Sequence, residues 1–208
     1  MTTQTTGEVT MSFTAKDVMQ LRQKTGLGMM DCKKALSENN GDHEAAETWI
    51  REKKKGKMDQ RTERTTGEGR IAVAYGDGCA VIVEIQTETD LTAKNESFEK
   101  MVAEVANFAL ASSDGDVACS EEMTKSIDEI RITTGENANF ARGIHYSGDH
   151  FGHYIHHDGK RACLIQVDNE VDGEALKGIC QHIVFHDPLG ISADDVPTDV
   201  IEKIKTDA

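Results

Sequence analysis

The sequence predicts an α+β protein in which a small helical module precedes a duplicated core of antiparallel hairpins, each packed by helices. Three observations predict this class. Apolar residues recur at helical spacing between residues 12 and 54, β-branched residues then concentrate in short runs that flank glycine turns, and this hairpin pattern occurs twice. Displacing the chain by 82 positions places residues 80–83 over residues 162–165. Two units of similar length therefore indicate a duplication.

The helical module is predicted to span residues 12–54 and to contain three short helices. Thr14 can cap the first helix, and Asp17 lies in its opening turn, where a negative charge suits the helix dipole. Glycines end the first two helices, and Asp42 can cap the third. About forty residues make only a small core, so the module favours interaction over catalysis.

A charged linker is predicted for residues 55–69. The basic run at residues 53–57 raises the possibility of a nucleic-acid contact, but acidic residues follow it and no aromatic side chain is available to stack on a base. A solvated connector that is helical at its start is the favoured interpretation.

The first half of the core is predicted for residues 70–130. Strands at residues 71–75 and 79–85 form its hairpin, a helix from residue 96 to 111 covers one face, and an acidic connection follows. The inward-facing positions of this helix are predicted to be Phe98, Met101, Val102, Val105 and Phe108.

The second half of the core is predicted for residues 131–208. It repeats the hairpin at residues 152–157 and 161–167, and a last helix begins near residue 200. The helix after the hairpin is predicted to face inward through Ala175, Leu176, Ile179, Cys180 and Ile183.

Composition and charge exclude several classes of function. The 208 residues carry a formal charge of −14, which argues against an electrostatic grip on nucleic-acid phosphates or on an anionic membrane surface. Five scattered cysteines without a CxxC pair indicate a reducing compartment. No apolar run approaches the roughly 20 residues of a membrane span, and the first ten residues lack a signal peptide's apolar segment. We therefore expect a soluble, cytoplasmic protein.

Catalytic and metal-binding patterns are weak. Five histidines crowd into residues 145–157, but on a strand His153 and His157 would share one face and His156 the other, which splits the cluster. No phosphate-binding loop and no Gly-x-Ser-x-Gly nucleophile motif is present. The sequence therefore predicts a binding protein that is not an enzyme and that needs neither a metal nor a cofactor.

The stretch at residues 87–95 carries the strongest candidate site. It follows the most apolar run of the chain and precedes the helix predicted from residue 96, so it forms a polar strand-to-helix turn at the rim of a sheet. Binding groups concentrate in loops that a rigid scaffold holds. Leu91, beside Asp90, is either a hydrophobic plug under this loop or a probe for a partner.

Residues 21–36, Leu-Arg-Gln-Lys-Thr-Gly-Leu-Gly-Met-Met-Asp-Cys-Lys-Lys-Ala-Leu, closely resemble the opening of translation elongation factor Ts. The resemblance continues through residues 83–95, resumes at residues 135–137, 154–156 and 181–183, and covers roughly residues 12 to 205. In that family the first block forms a three-helix module like a ubiquitin-associated domain. The resemblance implies a guanine-nucleotide exchange factor that binds elongation factor Tu and promotes GDP release during translation elongation.

The resemblance also implies roles for particular residues. Arg22, Met29 and Met30 match positions that contact the nucleotide domain of the GTPase, and we expect one methionine of the pair to pack inward. Asp90 matches the acid that disturbs the magnesium and phosphate end of the nucleotide site. Leu91 matches an aromatic wedge between partner helices, and His156 matches a histidine that touches another domain of the GTPase. Thr89 completes the predicted partner-binding set, which is therefore Arg22, Met29, Met30, Thr89, Asp90, Leu91 and His156.

Two departures from the family pattern keep an alternative open. Leu91 stands where the family usually has phenylalanine, and Ala208 ends the chain where relatives usually continue into a helical coiled coil and a C-terminal segment, so a short form is expected. The alternative is a reduced paralogue that binds elongation factor Tu as a scaffold or recruiting subunit without efficient exchange. The sequence leaves the oligomeric state open.

Overall fold

The computed structural model describes residues 13–25, 28–60 and 62–207. The described residues fall into two compact units, one within Met1–Glu63 and Arg131–Gly135 and the other within Arg64–Ile130 and Glu136–Ala208. Helices and antiparallel sheets are both present, which confirms the predicted α+β class.

The described part of the first unit contains helices α1 (Ala15–Thr25), α2 (Met29–Glu38) and α3 (His43–Asp59). Thr14 donates from its backbone N–H and its hydroxyl to the Asp17 carboxylate, each at 2.7 Å, and so closes the start of α1. Gly41, with a positive φ of 83°, donates its N–H to the Leu36 carbonyl at 2.8 Å and ends α2. The core of this unit consists of Val18, Leu21, Cys32, Ala35, Leu36, Ala46 and Ile50.

The length of α3 bears on the predicted linker. This helix runs past residue 54 and through the basic run, so the start of the predicted linker is helical. The boundaries proposed for the module and the linker, and the likeness to a ubiquitin-associated domain, stay predictions.

A four-stranded antiparallel sheet dominates the second unit. Its strands are β1 (Glu68–Gly76), β2 (Cys79–Thr87), β3 (Gly115–Asp116) and β4 (Ala138–Ser147), in the order β1-β2-β4-β3. Helix α5 (Glu96–Ala109) packs on β1 and β2, and α6 (Glu121–Thr134) contributes Met123, Ile127 and Ile130 to the same core. The sheet side of this core comes from Val81, Val83 and Ile85, and the helix side from Phe98, Met101, Val102, Val105, Ala106 and Ala109.

Two features of this sheet differ from the sequence prediction. Strand β4 was not predicted, because Arg142 and Gly143 interrupt its apolar pattern and its ten residues show no regular alternation of burial: only Ala138, Gly143 and His145 are buried. Phe108 was predicted to face inward but is 36% exposed, while Ala106 and Ala109 fill the core at the end of α5.

A two-stranded sheet of β5 (Phe151–Ile155) and β6 (Ala162–Gln166) forms the second hairpin, and α7 (Gly173–His186) packs against it. Gly152 is needed here, since a Cβ at this position would come within 2.6 Å of the Leu176 side chain. Only Leu176 and Cys180 of α7 are buried, so the prediction that Ala175 and Ile179 face inward is wrong. Helix α8 (Thr198–Asp207) is the last described element.

No helix within the described residues is both long enough and apolar enough to cross a membrane.

Candidate functional site

The strand-to-helix turn at residues 87–95 contains a short helix that the sequence did not predict, α4 (Asp90–Ala93). Thr89 precedes it in extended conformation, and the Thr89 hydroxyl accepts a hydrogen bond from the Thr92 N–H at 3.3 Å. Asn95 then caps α5, since its side-chain oxygen accepts from the Ser97 N–H at 2.8 Å. Two side-chain caps in succession therefore fix the path of the chain between β2 and α5. We call Thr89, Asp90 and Leu91 the tip.

Leu91 points away from the core. Its side chain is 79% exposed, whereas the following Thr92 and Ala93 are only 7% and 4% exposed. The small residues after Leu91 therefore seal the loop, and Leu91 is not the hydrophobic plug that the sequence left as one possibility. Single exposed apolar residues are common on protein surfaces, but the place of Leu91 on a loop that a rigid scaffold holds favours a contact role.

Asp90 is ionised at neutral pH. The Lys94 ammonium donates to the Asp90 carboxylate at 2.8 Å, and this hydrogen bond, followed by the charges of Lys94 and Lys160, holds the pKa of Asp90 below its usual 3.8. Both partners are more than half exposed, so the ion pair is weak. Asp90 can therefore exchange Lys94 for another cationic or metal-bearing partner with little loss.

Two glutamates hold the base of the tip. The Glu136 carboxylate accepts hydrogen bonds from the Thr89 hydroxyl at 2.8 Å, from the Thr89 N–H at 3.1 Å and from the Thr87 hydroxyl at 3.3 Å. The Glu88 carboxylate accepts from the Asn137 N–H at 2.6 Å and pairs with Arg64 at 3.3 Å. Sequence reasoning gave Glu136 no role, although it noted both stretches that meet here, residues 87–95 and 135–137.

His156 lies just after β5, in the turn to β6, and is half-buried. Its Nδ1 lies 3.1 Å from the Tyr154 hydroxyl, and its ring centroid lies 4.2 Å from that of His157. A groove of about 470 Å³ opens beside it. The lining residues of this groove are Tyr154, His156, Arg161, Gln181, His182, Val184, Phe185 and His186.

The histidines of residues 145–157 do not converge. His145 is buried on β4, and His153 lies against Tyr75, whose hydroxyl is 2.6 Å from His153 Nδ1. Partial desolvation lowers the pKa of His153, which favours its neutral form. Within residues 13–25, 28–60 and 62–207, no three side chains of His, Cys, Asp or Glu are arranged to hold a metal ion.

The remaining predicted residues belong to the helical unit. Arg22 is exposed on α1, and Met29 and Met30 begin α2 with 42% and 77% exposure. The expectation that one methionine packs inward is therefore wrong, because Cys32, Ala35 and Leu36 supply the buried positions of α2. Met19 on α1 is also 54% exposed, and sequence reasoning missed it.

The structure therefore brings Thr89, Asp90 and Leu91 together in one tip and places His156 at the end of the second hairpin of the same unit. The other three predicted residues lie in the helical unit. An exposed, hydrogen-bonded tip of this kind is typical of proteins that act by contact with a macromolecular partner.

Comparison with known proteins gives the family. The family model described as Elongation factor TS matches residues 88–207, a range that begins at the base of the tip. The elongation factor Ts of Sinorhizobium medicae is 38% identical over 213 residues, and that of Dinoroseobacter shibae is 40% identical over 203 residues. Each alignment covers 93% of this chain and 69% of the relative. Elongation factor Ts of Xanthomonas campestris pv. campestris is 39% identical over 204 residues, covering 94% of this chain and 69% of the relative. The chain belongs to the elongation factor Ts family.

Proposed function

We propose that this chain is a guanine-nucleotide exchange factor that binds elongation factor Tu in its GDP-bound and nucleotide-free states and promotes GDP release during translation elongation. The observation that carries the proposal is the tip, where a 79% exposed Leu91 stands beside an ionised Asp90 on a hydrogen-bonded turn. Family membership and the match that begins at Glu88 support it.

Nucleotide exchange of this kind does not require the factor to make or break a covalent bond. A protein that binds the empty GTPase more tightly than the loaded GTPase weakens nucleotide binding by the same factor, because the two equilibria are linked. Asp90 approaches the magnesium and phosphate end of the nucleotide site, and its negative charge disfavours the bound phosphates and competes for their cation. Leu91 enters between two partner helices and stabilises the opened form through burial of its apolar surface.

The helical module contributes a second contact. Arg22, Met29 and Met30 bind the nucleotide domain of the GTPase, and flexible thioethers suit an adaptable surface. His156 touches another domain of the GTPase. The proposal includes the following domain organisation: a ubiquitin-associated-like module at residues 12–54, a linker at 55–69, and core halves at 70–130 and 131–208. It also includes a cytoplasmic location.

A scaffold that binds elongation factor Tu without efficient exchange is the second candidate. Leu91 favours it, since a leucine buries less apolar surface than the aromatic residue usual at this position. The two candidates share the partner and differ in the rate of nucleotide release.

The deciding experiment follows fluorescent GDP as it leaves elongation factor Tu, with and without this protein, over a range of concentrations. Binding to nucleotide-free elongation factor Tu is measured in parallel by calorimetry. Leu91→Ser tests the tip, and Ile191→Ser is the matched control, because Ile191 is an apolar residue that is 104% exposed outside the tip.

Faster release by the wild type and by Ile191→Ser, with a clear loss in Leu91→Ser, supports the exchange factor. Binding without faster release supports the scaffold. Absence of both binding and release contradicts both candidates.

A further inference from the structure

The base of the tip joins two chain segments that are distant in sequence. Thr87 and Thr89 at the end of β2 donate hydrogen bonds to Glu136, which lies 49 and 47 residues further along the chain. The Glu136 side chain is half-buried, and three donors surround its two oxygens. A charged acceptor makes stronger hydrogen bonds than a neutral one, so this carboxylate holds the turn more firmly than an amide or a hydroxyl could.

Consecutive hydrogen bonds connect Glu136 through the Thr89 hydroxyl to the first turn of α4. The Thr89 hydroxyl has one proton, which it donates to Glu136 at 2.8 Å. The lone pairs of that hydroxyl therefore remain for the Thr92 N–H, which donates to it at 3.3 Å. Glu136 thus orients the cap of α4, and α4 in turn carries Asp90 and Leu91.

The second glutamate has a different task. Glu88 accepts hydrogen bonds from the Asn137 N–H and from Arg64. It therefore links the end of β2 to the start of β4 and to the segment before β1, and it does not bind the Thr89 hydroxyl. The single hydroxyl proton of Thr87 is shared between the Glu136 carboxylate at 3.3 Å and the Asn137 carbonyl at 3.1 Å, so without Glu136 it can still donate to Asn137 and hold the end of β2. Because Glu88 and the Asn137 carbonyl still hold the strand ends, we expect removal of Glu136 to loosen the tip more than the sheet.

We infer that Glu136 is a positioning residue for partner recognition: it fixes the Thr89 cap so that Asp90 and Leu91 are held ready for the GTPase. The inference rests on the proposed function in that the tip is taken as the partner contact. Glu136 itself does not touch the partner. Its contribution is to order the tip before binding, which removes an entropic penalty from the productive complex.

The test compares Glu136→Ala and Glu136→Gln with Glu174→Ala, a control that removes an exposed carboxylate on α7. Fluorescent GDP release from elongation factor Tu is measured at saturating and at half-saturating factor. Amide hydrogen exchange of the free protein is measured at Thr92 and, for reference, at Val105 in the core of α5.

Loss of a carboxylate acceptor with several donors predicts that Glu136→Ala lowers the maximal release rate about tenfold, while the half-saturating concentration changes about twofold at most. Glu136→Gln falls between wild type and Glu136→Ala, because its amide oxygen still accepts one hydrogen bond. Exchange at Thr92 accelerates in Glu136→Ala, and exchange at Val105 does not. A purely structural role would instead accelerate both amides.

A double-mutant cycle with Thr89→Val locates the effect. If Glu136 acts through the Thr89 hydroxyl, the double variant is no slower than the slower single variant, since both changes interrupt the same consecutive hydrogen bonds. Multiplication of the two single effects would overturn the inference, as would a Glu136→Ala variant that matches wild type in release rate and in Thr92 exchange.

The proposed function fails separately. If the wild-type protein does not accelerate GDP release, the proposed nucleotide-exchange function is wrong. The role of Glu136 in positioning the tip is then decided by amide hydrogen exchange at Thr92 alone.

Discussion

The tip and the methionine face, which we define as Met29 and Met30, each lie at the start of a helix. The two helix starts differ in whether a side chain caps them. At the tip, Thr89 caps α4 with its side chain and is itself held by Glu136. At the methionine face, α2 begins after Gly28, whose extended backbone provides no side-chain cap. Both sites present exposed apolar side chains, but only the tip is fixed by a chain of side-chain hydrogen bonds.

This difference indicates a division of labour. A preordered contact loses little conformational entropy on binding, which suits the entry of Leu91 between two partner helices that we propose. Methionines on an uncapped helix start can adjust to the surface they meet. We therefore expect the tip to govern the rate of nucleotide release and the methionine face to govern the affinity of docking.

The largest expected effect is at the wedge. Leu91→Phe adds apolar surface worth about 1–2 kcal/mol when buried, which corresponds to a rise of roughly five- to thirtyfold in stabilisation of the activated complex. We expect GDP release at saturating factor to accelerate by that range, as followed with fluorescent GDP. Thermal stability should not change, because the Leu91 side chain is 79% exposed in the free protein.

Leu91→Met is the matched control, since its apolar surface is similar, and it should stay within about twofold of wild type. A release rate that is the same for leucine, methionine and phenylalanine would show that the side chain at this position does not enter the partner.

The next largest effect is at the methionine face. Replacement of both Met29 and Met30 with alanine should raise the half-saturating concentration about five- to tenfold and leave the maximal release rate unchanged, since each truncation removes about 0.5–0.7 kcal/mol of contact. Concentration series of GDP release separate the two parameters. Met19→Ala is the comparison, because Met19 is 54% exposed on α1 of the same unit but lies outside the predicted set.

If the double alanine variant lowers the maximal rate and leaves half-saturation alone, the division of labour is wrong. If Met19→Ala has the same effect as the double variant, the docking surface on α1 includes Met19 as well as Arg22.

A smaller effect is expected when the methionine face is given the cap that it lacks. Gly28→Ser should stabilise the helical unit by about 0.5 kcal/mol, because serine can cap α2 and restricts the unfolded chain more than glycine does. The backbone of Gly28 has a φ of −63°, and an added Cβ would lie 3.5 Å from the Asp31 carboxylate, an ordinary contact. Trp49 is the single tryptophan of the chain and lies in α3, so its fluorescence in a denaturant titration reports this unit.

Gly28→Ala separates the two causes of that gain, since alanine restricts the unfolded chain equally but is a poor cap, and it should be about 1 kcal/mol less stable than Gly28→Ser. Equal stability of the two variants would contradict a capping effect.

The comparison also shows how far the sequence leads. Helices α5 and α7 and both hairpins follow from periodicity, and the tip follows from its place between a buried strand and a helix. Periodicity does not show how wide a buried stripe is, so Phe108 and Ile179 were placed inward although both are exposed. It also did not show that both methionines lie outside, because that depends on which residues fill a core of only seven buried side chains within the described part of the unit.

The residue that holds the tip, Glu136, could not be identified from local sequence patterns. Glu136 contacts Thr89 across 47 residues, and β4, which brings it there, has too mixed a sequence to predict as a strand. Hydrogen bonds between distant segments leave no periodic signal. The resemblance marked residues 135–137 without giving their role.

The smallest expected effect is that of replacing Lys94. This replacement tests whether the tip needs the ion pair between Lys94 and Asp90. Lys94 holds the pKa of Asp90 below 3.8 by hydrogen bonding and charge, so Lys94→Gln should let that pKa rise toward 3.8. Because the folded-state pKa is depressed, the interaction contributes above pH 3.8 and is lost only as the pH falls through the folded value. At pH 7 Asp90 stays ionised with or without Lys94, and GDP release by Lys94→Gln should remain within about twofold of wild type. The wild-type release rate should likewise show no step from Asp90 between pH 8 and pH 5, outside the window in which it titrates. A large loss in Lys94→Gln at pH 7 would mean that Lys94 itself binds the partner, and the functional tip would then extend one turn further than Leu91.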